Sequence, residues 1–349
     1  MLDFSTVLIN ELVIHRVGNK HNEEDFFISE SSFPLTEGLS LMMLDYFIKP
    51  FMKIQDSNQF AHEIDLNYNE LNGISKEIFQ NPTSLYINSV KILQHLHEQS
   101  QHPHIKTGDL FVAHFSDILY QDKMVDAIGI FKSENKTSFL QVGQDNANLE
   151  VKEKQGIDIK KLDKGCFIFN IEQEDGFRVC QVDSNNYDTE YWLHEFLGIS
   201  PIQDEVFHTK EYVNLCKDFA KEVVQATESK TDEIEFMNKS IKYLERNDNV
   251  DLEDFKEFVL DNEEKKQEFD QYKSMYETQN SVAIPDAFTV SMPVVEKQKK
   301  SIKNEIKLDT NIQIKIGVNN PDSIDRFIEK GYDHEKDMSF YKIYYNNEL

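Results

Sequence analysis

The stretch Asp126 to Lys136, DAIGIFKSENK, decides how this chain is read. Its apolar run reaches Gly129, then two residues, then Lys132 and Ser133, the order in which a phosphate-cradling loop ends. Such a loop needs a second glycine immediately before its lysine and a helix after its hydroxyl residue. Phe131 stands in place of that glycine, and the strand-like run TSFLQV (137–142) follows. Strand, polar turn and strand is the pattern of a β-hairpin, predicted here with SENK as its turn. No nucleotide site is expected at Lys132.

Around this stretch the apolar residues keep a period of two. LFVAHFSDILY (110–120), MVDAIGIFKS (124–133), TSFLQVG (137–143), GCFIFNIEQ (165–173) and FRVCQVDS (177–184) read as strands of a mostly antiparallel sheet. Upstream, STVLINELVIHRV (5–17) and DFFISES (25–31) also read as strands. Helical spacing marks TEGLSLMMLDYFIKPFM (36–52), YNELNGISKEIFQ (68–80) and PTSLYINSVKILQHLHEQS (82–100). EYWLHEFLG (190–198) reads as a short closing helix, and SPIQDE (200–205) as a boundary. From 208 to about 278 the chain is charged and helical, with Asp251 and Asp254 marking a capped helix start. NEIKLDTNIQIKIG (304–317) alternates as a strand. DSIDRFIEKG (322–331) reads as a short helix ended by Gly331, and MSFYKIYYN (338–346) as a last strand. The fold class predicted is α+β. Residues 1–205 form a mixed domain of helices on an antiparallel sheet, and 206–349 a mainly helical domain with a small terminal sheet.

The 349 residues suffice for two such domains, and 39% hydrophobic content supports packed cores. No apolar run approaches the ~20 residues that span a bilayer, and no secretion-signal layout opens the chain. Cys166, Cys180 and Cys216 form no CxxC pair, so neither a disulfide framework nor a zinc site is expected, and a reducing cytoplasm fits. The net charge of −26 excludes a protein that coats DNA with its whole surface. That charge is unevenly spread. Residues 1–205 hold 33 acids against 16 bases, 206–280 hold 19 against 11, and 281–349 hold 11 against 10. Within the last segment Lys297, Lys299, Lys300, Lys303, Lys307 and Lys315 are opposed only by Glu305 and Asp309. As a surface feature these lysines solvate a helix end and a strand edge; as a site they neutralise phosphates. Arg16, Arg178, Arg246 and Arg326 are the only arginines, so forked reading of guanine has little material.

Two clusters invite catalytic or metal readings. His95, His97, His102 and His104 fall within ten residues, but His95 and His97 lie on different sides of a helix and Pro103 interrupts the rest. They are expected to be polar surface residues at a helix end, not ligands. Asp188, Glu190, His194 and Glu195 surround Trp192, the only tryptophan. Trp192, Phe196 and Leu197 sit at helical spacing and predict a core face with charges opposite. No catalytic residue, metal or cofactor is expected, and an unrecognised carboxylate cluster cleaving phosphodiesters is the least favoured alternative.

Several long stretches carry a family resemblance: IHRVGNK (14–20), HPHIKTGDLFVAHFSD (102–117), DAIGIFKSENKTSFLQV (126–142), GIDIKKLDKGCFIFN (156–170), YWLHEFL (191–197), IKLD (306–309) and EKGYDHEKDMSFYKIYY (329–345). Together they span nearly the whole chain, which resembles the bacterial nucleoid-associated proteins of the NdpA type. The resemblance implies a cytoplasmic, nucleoid-associated protein implicated in DNA binding and, in some members, in contact with a type II topoisomerase. It implies no catalytic residues. DNA contact is then expected through phosphates on Lys297, Lys299, Lys300, Lys303, Lys307 and Lys315. The alternative is a protein-interaction module that reaches the nucleoid through a DNA enzyme. Assembly into a homo-oligomer is left open.

Overall fold

A computed structural model describes residues 2–54, 56–120, 122–145, 148–185, 191–225, 229–317 and 327–347. The chain divides into two compact units, Met1–Ile202 and Gln203–Leu349.

In the first unit the strands are β1 (Leu2–Asp3), β2 (Leu8–Val17), β3 (Asn58–Phe60), β4 (Gly108–Tyr120), β5 (Lys123–Ser133), β6 (Lys136–Asp145), β7 (Asn148–Ile157), β8 (Lys164–Phe169), β9 (Arg178–Asp183) and β10 (Ile199–Pro201). Three helices join them: α1 (Glu37–Ile48), α2 (Glu70–Gln80) and α3 (Leu85–Gln99). Eight strands form one antiparallel sheet in the order β1-β4-β5-β8-β9-β3-β10, with β2 also paired to β4. Residue alternation sorts the two faces. Leu110, Val112, Ile128, Ile130, Cys166 and Ile168 point toward α2, α3 and Trp192. Phe111, Phe115, Phe131, Phe167 and Phe169 point toward Phe47 of α1 and Phe51. Both faces are covered, so the central strands are apolar almost continuously.

On the aromatic face Phe47 stacks on Phe131 at 4.1 Å, and Phe115 meets Phe131 edge-on. Gly129 makes this closure feasible, since a Cβ there would lie 2.5 Å from the Phe131 ring and 2.6 Å from Phe115. Helix α1 ends at Ile48, two residues before Pro50, which has no N–H to continue the helical hydrogen bonds. Helix α2 is capped by Asn69, which accepts the Asn72 N–H while its amide donates to Ala61, Leu197 and Gly198 carbonyls.

His15 is buried beneath α3, with Nε2 2.9 Å from Ser89 Oγ and Nδ1 accepting the Ser29 N–H. Burial lowers its pKa. The unfolded chain therefore takes up a proton below pH ~6.5 that the folded chain resists. Stability is greatest above that pH and falls below it, by up to ~1.4 kcal/mol per pH unit from this group. His15→Gln is expected to flatten the decline between pH 7 and 5 in denaturant titrations. An unchanged slope would assign the decline to other groups.

The second unit contains α4 (Glu205–Phe219), α5 (Lys230–Arg246), α6 (Leu252–Val259), α7 (Glu263–Asn280) and α8 (Met292–Ser301). A π-helical turn, Ala220–Val224, continues α4. Helix α6 starts as expected, with Asp251 accepting the N–H groups of Glu253 and Asp254. Tyr212, Phe219, Phe255 and Phe269 centre the core. The strands here are β11 (Asn249–Asp251) paired with β12 (Ala287–Thr289), β13 (Glu305–Lys307) with β14 (Gln313–Lys315), and β15 (Ile328–Asp333) with β16 (Met338–Ile343). Ile306, Ile314 and Ile328 pack with Ile234 of α5.

Mixed α+β architecture agrees with the sequence reading, but several elements differ. Residues 25–31 form no strand; Phe27 only bridges Arg16, the intervening backbone being taken by side chains and turns. Strands β5 and β6 exist but do not pair with each other. The chain leaves the sheet after Ser133, β6 pairs with the unforeseen β7, and β8 returns to pair with β5. Asp163 drives the exit by accepting the N–H groups of Glu134 and Asn135 at 2.7 and 2.9 Å. Residues 304–317 form a hairpin, not one strand, because Asn311 turns left-handed at φ 61°. Of the helix expected at 322–331, residues 322–326 lie outside the described residues, and Ile328 onward is strand β15. Gly331 is no helix cap. It faces Phe340 across the β15–β16 ladder, where a Cβ would meet the ring at 2.4 Å.

Candidate nucleic-acid face and a lysine-lined cavity

Helix α8 carries Pro293 in its first turn, where a missing N–H costs nothing, and lysines in its last turn, where they complement the helix dipole. Val294 and Val295 are buried, which leaves Lys297, Lys299 and Lys300 on the solvent side. Lys303 follows the helix and is exposed. In the next hairpin Ile306 and Ile314 pair on the inner face, so Lys307 and Lys315 share the outer one with Glu305 and Gln313. All six lysines are exposed. Lys299 pairs with Glu245 at 2.6 Å, and Lys307 with Glu305 at 3.2 Å. The Lys307 hydrogen bond holds the Glu305 carboxyl below its ordinary pKa. Among the described residues Lys297, Lys300, Lys303 and Lys315 have no ion-pair partner. A seventh lysine joins them that charge runs alone could not find. Lys217 of α4 reaches the end of α8, donating to Gln298 Oε1 at 2.7 Å and Ser301 Oγ at 3.1 Å.

In the first unit, two lysines occupy the sheet side by side. Lys132 of β5 and Lys164 of β8 are direct partners in the ladder, and both are essentially inaccessible. Buried ammonium groups need partners. Lys132 Nζ donates to Glu134 Oε1 at 2.8 Å, to the Lys106 carbonyl at 2.7 Å and to Tyr191 Oη at 3.2 Å. Burial nonetheless lowers its pKa, against the pull of Glu134. Lys164 pairs with Asp183 at 2.5 Å, and both ammonium groups lie near the Tyr191 ring, 5.6 and 5.3 Å from its centroid. Next to this cluster opens a cavity of about 300 Å³, with Lys106, Lys161, Lys164, Asn185 and Tyr191 in its lining. The sequence signal was a lysine at each end of strands that are otherwise apolar.

The histidines are only partly the surface residues expected. His95 and His97 are half-buried anchors. His95 bridges Glu70 Oε2 and the Phe196 carbonyl, and His97 reaches the Glu24 carbonyl. His102 and His104 are exposed. Among the described residues no three His, Cys, Asp or Glu side chains converge as metal ligands would. Asp188 and Glu190 lie outside the described residues. Tyr191–Leu197 is a π-helical turn whose Trp192, Phe196 and Leu197 enter the core, while His194 and Glu195 face solvent. The three cysteines are buried thiols whose pKa values burial raises, Cys180 to about 11 and Cys216 to about 12. No helix of the described residues is long and apolar enough to cross a membrane.

Compared with known families, residues 13–338 match the family described as nucleoid-associated protein YejK. No curated protein matches the chain.

Proposed function

We propose, for a chain that belongs to the family of nucleoid-associated protein YejK, that it binds DNA without catalysis through the lysine face of α8 and the following hairpin. The observation that carries this reading is local charge. In a chain of net charge −26, six lysines stand exposed between residues 297 and 315, and among the described residues four of them form no ion pair. Lysine heads contact phosphates as point charges and read little sequence, so recognition is backbone-directed. The acidic remainder of the chain limits contact to this face and repels a second DNA segment.

The test replaces Lys299, Lys300 and Lys303 with glutamine. These side chains are exposed, and the one ion pair lost, Lys299 with Glu245, is a surface pair worth under ~1 kcal/mol, so the fold survives. Each lost phosphate contact lowers the log K against log salt slope on duplex DNA by about 0.9. The triple variant is expected to flatten that slope by roughly 2–3 units, with similar loss on unrelated sequences. An unchanged slope in the folded variant removes this face as the DNA site. A parent protein that fails to bind at low salt points instead to recruitment through a DNA enzyme such as a type II topoisomerase.

A further inference from the structure

The buried cluster at Lys132 and Lys164 is balanced within itself. Glu134 answers Lys132 and accepts the Asn185 amide at 2.9 Å, while Asp183 answers Lys164. Asp163 is sealed beneath the turn, where it accepts two backbone N–H groups and the Asn135 amide. The rim is different. Lys106 and Lys161 are exposed, and among the described residues each rests on a neutral amide oxygen and not on a carboxylate: Asn135 Oδ1 at 2.7 Å and Asn185 Oδ1 at 3.4 Å. The two come from separate loops and meet over one cavity. Two unmatched positive charges thus converge in a unit where acids outnumber bases about two to one.

We infer that this cavity is a binding site for a small phosphate monoester. Its lining offers the ammonium groups of Lys106 and Lys161 and the Ser184 hydroxyl, beside Lys164, whose charge Asp183 answers, and Glu134, whose carboxylate is held by Lys132 and the Asn185 amide. Two ammonium groups and a hydroxyl suit the terminal oxygens of a phosphate dianion better than a monocarboxylate, which carries a single charge. Low-dielectric walls strengthen each contact, because Lys164 and the sheet behind it are closed to water. The volume, at the lower end of small-molecule sites, admits a phosphate with an attached sugar and little more. No glycine-rich loop or helix N-terminus takes part, so the site is unrelated to the phosphate loop suggested by the order of residues 129–133. It also shares no residue with the α8 lysine face, which belongs to the other unit.

The experiment is calorimetric titration of the full chain with inorganic phosphate, ribose 5-phosphate and acetate at fixed ionic strength. Ribose 5-phosphate is expected to bind, phosphate more weakly and acetate least. Lys106→Gln and Lys161→Gln, both on exposed side chains, are each expected to weaken ribose 5-phosphate binding about tenfold or more. Lys299→Gln, in the other unit, is expected to leave it unchanged. No binding of either phosphate up to about 10 mM, equal affinity for acetate, or indifference to both rim substitutions would overturn the assignment. Duplex DNA with and without a 5′-phosphate distinguishes a strand terminus from a free sugar phosphate as the source. Competition by the phosphorylated duplex alone assigns the site to strand ends.

Discussion

Lys132→Ala is expected to destabilise the first unit by about 3–5 kcal/mol. The substitution removes the counter-charge of Glu134, whose side chain is 4% exposed and cannot recover hydration. It also leaves the Lys106 carbonyl without its buried donor. Relief of repulsion from Lys164 offsets only a little of this, because Asp183 already answers that charge. Trp192 is the only tryptophan and lies in the same unit, so its emission follows unfolding of that unit alone. A lower denaturant midpoint at constant m is the expected readout. The double variant Lys132→Met with Glu134→Leu is expected to recover part of the loss, because no unpaired ion is left, while the Lys106 carbonyl and the Asn185 amide still lose their partners. A loss under ~1 kcal/mol for Lys132→Ala would mean that Glu134 reaches water.

Trp192→Ala is expected to cost about 3–5 kcal/mol through the cavity it leaves. The indole is fully buried between the sheet and α3, with Phe196 at 4.9 Å and Tyr191 at 6.5 Å between ring centres. Its Nε1–H finds no acceptor among the described residues, an unfavourable state for a buried donor. Trp192→Phe keeps an aromatic body and removes that orphan, so its cost should stay below ~2 kcal/mol. Thermal unfolding followed by circular dichroism separates the two variants without needing the indole signal. Equal losses for alanine and phenylalanine would show that the indole ring as a whole, not aromatic bulk, fills the site. Trp192, Phe196 and Leu197 pack in the core, as their helical spacing suggested.

Much of the fold was legible because it is locally encoded. Helices α1, α2 and α3 follow from 3.6-residue spacing with Pro50 and Pro82 as punctuation, and β2, β4, β5, β8 and β9 follow from alternating or continuous apolar runs. The lysine run was legible as composition, and its exposure follows from two buried valines that orient α8. The cavity was not legible. Lys106, Lys161, Lys164 and Tyr191 belong to segments dozens of residues apart, and nothing in their local spacing says that they meet. Nor did Lys132 announce its partners, since Glu134 is two residues away in sequence but Tyr191 is 59.

By itself the sequence determined most of the helices and the central strands of the large sheet, because those depend on neighbours within a few residues. Only the tertiary structure decided which strands are partners. Alternation in β5 and β6 fits a hairpin between them as well as separate pairings, and in the pairing with β7 the apolar Phe139, Leu140 and Val142 of β6 stay exposed. The choice rests on Asp163, 29 residues beyond Glu134, which captures the turn N–H groups and sends β6 out to pair with β7. Residues 328–331 teach the same lesson. Their spacing suits a helix, but Phe340 packing over Gly331 is a contact that only a strand ladder provides, and long-range burial outweighs a weak local preference.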